Sequence, residues 1–188
     1  MNDLILMAAL LEGPKHGWAL KKLAGFLGGG QNAMHNNLVY PLLKKFVAAG
    51  WVRRREEPGE RGQRRSVYCL TLPGNRELMR RLREFGEKEA SSPIEFRIRV
   101  GLFDIMDPDT RKHILDERAR WLSAREDHFS SIQQGLKAMD SAKWGNEVVG
   151  FLLREVRAER KWIAALRKKE SARPPSAAKV PQRNRGER

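Results

Sequence analysis

The residues of this chain with chemical promise lie between Lys15 and Arg65, and they are amides, cations and a phenol rather than nucleophiles. Asn36 and Asn37, with His35 and Gln31 as weaker companions, stand where a helix begins. An asparagine amide at such a place can pair bidentately with adenine, and it can equally cap the helix; the two roles are compatible. Tyr40, Lys44 and Lys45 follow on the same helix and offer a hydroxyl and two ammonium groups to phosphate oxygens. Lys15, His16 and Lys21 fall near the start of an earlier helix, where orphan backbone N–H groups favour anions. Arg53, Arg54 and Arg55, then Arg61, Gln63, Arg64 and Arg65, flank a turn. Guanidinium groups there suit phosphates or a narrow minor groove, although a solvated arginine cluster is the plainer alternative. Taken together, these groups suit a polyanion.

Other chemistry finds little support. His113, Asp116 and Glu117 share one stretch, but two or three ligands without a second motif make a solvated helix face the better reading. Gly28–Gly30 lacks the lysine and hydroxyl of a phosphate-binding loop, and no Ser/His/Asp order or paired-cysteine motif occurs. The expectation is a non-enzyme without metal or cofactor. Cys69 is the only cysteine, which excludes an intrachain disulfide and a multi-cysteine zinc site and fits a reducing cytoplasm. Met1–Leu11 is bounded by Asp3 and Glu12 and is too short to span a membrane, so a cytoplasmic protein with no membrane partner is expected.

Charge points the same way. The 188 residues carry a net +14, spread unevenly. Residues 1–89 hold 16 Lys and Arg against 9 Asp and Glu, residues 90–170 hold 16 against 13, and residues 171–188 hold 5 against 1. A basic N-terminal module and a basic tail imply an acidic partner.

The elements that must position these groups follow from periodicity. Leu4, Ile5, Ala8 and Leu11 mark a first helix, ended by Gly13-Pro14. A second runs from about His16 to Leu27. Leu38, Val39, Leu42, Leu43, Phe46 and Val47 recur at helical spacing in a third, with Pro41 in its first turns and Gly50 as its stop. Trp51–Glu56 and Ser66–Leu72 read as the two strands of a hairpin around a Pro-Gly turn. A fourth helix begins near Pro73 and ends around Ala90, where Ser91-Ser92-Pro93 suggests a module boundary. In residues 94–106, Ile94, Phe96, Ile98 and Val100 alternate like a strand, whereas Leu102, Phe103, Ile105 and Met106 suit a helix. Asp107-Pro108-Asp109 starts a long helix reaching about Met139. There Leu115, Leu122, Phe129 and Leu136 repeat every seven residues, with Ile132 beside them. In a last helix Val149, Val156 and Ile163 do the same. Heptad spacing satisfies antiparallel packing within one subunit and dimerisation between subunits alike. The segment from Ser171 is expected to be a disordered basic tail.

HGWALKKL, then YPLLKKFVAAGWV, an arginine-rich turn and RRSVYCLTLPG, in that order over roughly residues 1–90, resemble the PadR family of bacterial winged-helix transcriptional regulators. The resemblance implies a DNA-facing hydroxyl at Tyr40, helix rather than strand over 94–106, and transcriptional control, most often repression. Trp18 stands where tyrosine is common, and Asn36-Asn37-Leu38-Val39 replaces the commoner Gly-Thr-Leu run, a departure at the positions on which an inherited base preference would rest. In some relatives aromatic side chains near the dimer interface bind flat effectors. Trp121, Trp144 and Trp162 could do so here, although plain packing explains them more simply.

The expected architecture is thus mainly α. A winged helix-turn-helix with a two-stranded β-wing occupies residues 1–90 and a coiled-coil-like dimerisation module residues 91–170, with the tail at 171–188. The expected activity is double-stranded-DNA binding by a homodimeric repressor on an inverted-repeat operator. A protein-interaction adaptor and a sequence-independent nucleic-acid binder are the alternatives.

Overall fold

The computed structural model describes residues 2–27, 36–58, 64–137 and 142–172. In chain order they form α1 (Asn2–Ala9), β1 (Lys15–His16), α2 (Gly17–Leu27), α3 (Asn36–Ala48), β2 (Val52–Pro58), β3 (Arg64–Leu70) and α4 (Leu72–Arg83). There follow α5 (Glu87–Ala90), α6 (Pro93–Gly101), a 3-10 turn (Phe103–Ile105), α7 (Pro108–Lys137) and α8 (Lys143–Ser171). The chain is mainly helical, with one small antiparallel sheet. Packing divides it into two units, Met1–Glu84 with Pro93–Leu102 and Phe85–Ser92 with Phe103–Arg188.

The sheet of the first unit has three strands in the order β1-β3-β2, one more than expected. Lys15 pairs with Tyr68 and His16 with Val67, so α2 begins at Gly17 and not at His16. Two residues are too few to show a period of two. They become a strand because β3 has a second edge whose N–H and C=O groups need partners. β2 and β3 pair from Val52 opposite Leu70 to Pro58 opposite Arg64.

Val39, Leu43 and Phe46 of α3 are buried together with Leu4–Leu10, Leu20, Val52, Leu78 and Leu82. Their i, i+4, i+7 spacing turns one face of α3 into the core and commits the opposite face to solvent. Gly50 leaves the helix at φ +72°, a left-handed value that glycine adopts freely. Thr71 then fixes the junction between wing and α4. Its hydroxyl accepts from the Gly74 N–H at 3.0 Å and donates to the Gly50 carbonyl at 2.7 Å. A Cβ at Gly74 would lie 1.9 Å from the Trp51 carbonyl oxygen, so only hydrogen fits there.

Residues 94–101 are helical despite their alternating pattern. The reason is Arg99, 3% exposed, whose guanidinium donates to the carbonyls of Arg81, Leu82 and Glu84 and pairs with Glu95 one turn earlier. Carbonyls at the end of α4 lack intrahelical donors, and a helical register delivers Arg99 to them. The fourth helix stops at Arg83 rather than near Ala90 because Glu84 is extended and Gly86 opens a separate turn, α5.

In the second unit α7 and α8 lie antiparallel, as the ion pairs Arg111–Glu170, Asp116–Arg167 and Arg118–Glu159 require. Asp107 caps α7, accepting from the Thr110 N–H and hydroxyl, each at 2.8 Å. Leu115, Leu122 and Phe129 are buried with Val149, Leu153, Val156 and Ile163, each contributing about 1.5–3 kcal/mol by leaving water. No helix among the described residues is long and apolar enough to cross a membrane.

Candidate nucleic-acid interface

The solvent face of α3, opposite Val39, Leu43 and Phe46, carries Leu38, Pro41, Lys44, Lys45 and Ala48, all exposed. Among the described residues Lys44 has no ion-pair partner, whereas the Lys45 ammonium sits 3.6 Å from Asp3, which also binds Arg81 at 3.1 Å. Asn36 and Asn37 open α3 in its backbone; their side chains, with Gln31, His35, Arg61 and Gln63, lie outside the described residues.

The wing is less uniformly cationic than its sequence suggests. Arg54 donates to Ser66 at 3.0 Å and to Glu56 at 3.3 Å, and Arg64 donates to Glu56 at 3.2 Å. One carboxylate therefore offsets two guanidinium groups. Arg53 and Arg55 are exposed and have no ion-pair partner among the described residues. Lys15 is held by Glu12 at 3.1 Å.

Between the helices and the wing lies a cleft of about 490 Å³. His16 lines it from β1, Gly17 and Trp18 from the start of α2, Tyr40 from α3, and Arg65, Ser66 and Tyr68 from β3. Tyr40 is 45% exposed, and its ring lies over Gly17, where an added Cβ would meet Cε1 at 2.9 Å. The structure thus brings together His16, Tyr40 and Arg65, three expected contacts from three separate elements. Gly17, Ser66 and Tyr68 were not singled out from the sequence. Period two along β3 puts Ser66 and Tyr68 on one face, but the β1–β3 pairing that makes this face part of a cleft has no sequence signal.

A helix-turn-helix completed by a hairpin, with open cations on the third helix and the wing, is now in view. Residues 5–80 match the PadR-like family of transcriptional regulators. Over those residues the winged-helix module is similar to that family. A transcriptional regulator from Clostridium thermocellum is 21% identical, with 44% of this chain and 79% of that one covered, at a TM-score of 0.40. Bacillus subtilis PadR in complex with operator DNA is 16% identical over 89% of this chain and 98% of that one, at a TM-score of 0.42. The same protein in complex with p-coumaric acid is 17% identical over 90% and 94%, at a TM-score of 0.38. No curated protein matches the chain.

Outside the PadR-type module, the heptad residues expected at a dimer contact sit mostly inside the α7–α8 hairpin of one chain. Leu115, Leu122, Phe129, Val149, Val156 and Ile163 are buried, Leu136 is half-buried and Ile132 is exposed. Trp121 is flanked by the guanidinium groups of Arg118 and Arg125, 4.7 and 5.9 Å from its ring centroid. Trp144 and Trp162 are both on α8, and at about 1.5 Å rise per residue they stand roughly 27 Å apart, too far to share one small ligand. His113 meets the Phe85 carbonyl at 3.0 Å, while Asp116 and Glu117 pair with Arg167 and Arg120. Among the described residues no group of three or more His, Cys, Asp or Glu side chains could hold a metal ion.

Proposed function

We propose that the chain is a sequence-specific, double-stranded-DNA-binding repressor that acts as a homodimer on an inverted-repeat operator. One observation carries the DNA reading: in a PadR-type winged helix, the solvent face of α3 and the adjoining wing both present cations without an ion-pair partner among the described residues, Lys44 on one and Arg53 and Arg55 on the other. With α3 in the major groove, those cations reach the flanking phosphates. Leu38 and Pro41, exposed on the same face, offer the apolar contact that a thymine methyl takes, and position 37 offers an amide to a base edge.

A second stripe on α8 supports the dimer. Trp144, Val148, Phe151 and Trp162 fall at heptad-compatible spacing and are 83%, 59%, 52% and 39% exposed. The other face of α8 is already filled by α7, so a second copy is the partner that this seam fits.

The test is binding of the purified chain to its own upstream intergenic duplex and to a scrambled duplex at roughly 50 and 200 mM salt. Specific recognition predicts a preference of about a hundredfold or more that survives the higher salt. Equal binding that collapses as salt rises would reduce the activity to counterion release, and no binding to either duplex would favour a protein partner.

A further inference from the structure

We infer that the cleft bounded by His16, Trp18, Tyr40, Arg65, Ser66 and Tyr68 is a single-phosphate seat, in which α2, α3 and the wing grip one phosphodiester of duplex DNA together. This rests on the DNA-binding reading above and deepens it. The cleft lies beside the base-facing side of α3. Tyr40 is one residue off the Pro41–Lys44 stripe and is turned onto Gly17, so its phenol addresses the flank where backbone runs when the helix fills the groove.

The lining matches a phosphodiester in charge and shape. It contains a guanidinium, an imidazole and two hydroxyls besides the buried phenol, and no carboxylate. The hydroxyl of Ser66 accepts from Arg54 Nε at 3.0 Å and keeps its own proton to donate. Gly17 and Trp18 are the first residues of α2, whose leading N–H groups lack intrahelical acceptors. His16 Nδ1 is buried without a hydrogen-bond partner among the described residues. Trp18, 63% exposed, provides an aromatic wall against which a deoxyribose can pack. The volume of about 490 Å³ holds a phosphate with its sugar, which a bare anion would leave largely empty.

The experiment is methylphosphonate interference. The full chain selects a duplex from a random library, and each phosphate of that duplex is then neutralised in turn. One phosphate per half-site should emerge at which neutralisation costs wild type about tenfold in affinity. Tyr40→Phe and Arg65→Ala should each weaken binding to the unmodified duplex and each abolish sensitivity at that same phosphate. Loss of sensitivity at two different phosphates would overturn the shared seat and leave separate contacts. Retention of the full wild-type interference pattern by both variants would show that the cleft does not touch the backbone. A chain that enriches no duplex at all refutes the DNA reading itself, and the seat with it.

Discussion

The wing and α3 show why cations of one type are not equivalent. Lys44 and Arg53 have no carboxylate partner among the described residues, whereas Lys45 faces Asp3 and Arg64 faces Glu56. Only a cation whose charge is not already offset releases a full counterion from DNA. Lys44→Ala should therefore lower the slope of log K against log salt by about one unit. Lys45→Ala and Arg64→Ala should lower it by less, and titrations at several salt concentrations distinguish the two classes. Gly17→Ala is a second residue-scale test. Its methyl would displace the Tyr40 ring from 2.9 Å, so DNA affinity should fall while the far-UV circular dichroism stays unchanged.

At the scale of elements, the junctions matter more than the helices they join. Thr71 ties the wing base to α4 through its hydroxyl, and Thr71→Ala should cost about 1 kcal/mol in denaturant unfolding, as loss of an N-cap does. Glu77, within α4, is held at a pKa of about 2 against an ordinary 4.5, chiefly by its hydrogen bond from Arg80 and also by Arg81. A lowered carboxylate pKa contributes stability that is complete above about pH 4.5 and is lost as pH falls toward 2. Glu77→Gln should lower stability near neutrality, flatten the acid limb over that window and leave stability near pH 2 almost unchanged. In the hairpin, Arg118 is 1% exposed, donates to the Ala90 carbonyl and makes a two-pronged contact with Glu159, both prongs at 2.8 Å. Glu159→Ala strands a buried guanidinium and should cost about 3–5 kcal/mol, measurable as a lower unfolding midpoint.

For the molecule as a whole, the open question is what the outer seam of α8 meets. Val148 and Phe151 are exposed and do not contribute to the buried α7–α8 seam. The double variant Val148→Asp with Phe151→Asp should sediment as a monomer while keeping its helix content, and should lose affinity for a two-half-site duplex far more than for one half-site. A variant that stayed dimeric would assign the contact elsewhere.

The amino-acid sequence by itself determined the elements whose cause is local. Helical spacing of Val39, Leu43 and Phe46 set which face of α3 is buried, the Asp107-Pro108 pair set the start of α7, and Gly50 set the end of α3. It also pointed to a chemistry for the candidate interface, because amides, a phenol and cations at a helix start and a hairpin suit a polyanion wherever they are finally placed. Three matters were left to the tertiary structure. Lys15–His16 became a strand because a distant edge of β3 needed hydrogen bonds. Residues 94–101 became a helix against their alternation because the carbonyls ending α4 needed the donors of Arg99. The heptads of α7 and α8, ambiguous as sequence, were consumed within one chain, which moved the candidate dimer surface to the opposite side of α8. In each case the deciding term was an unsatisfied backbone group or an apolar face elsewhere in the chain, and no local window of sequence contains that information.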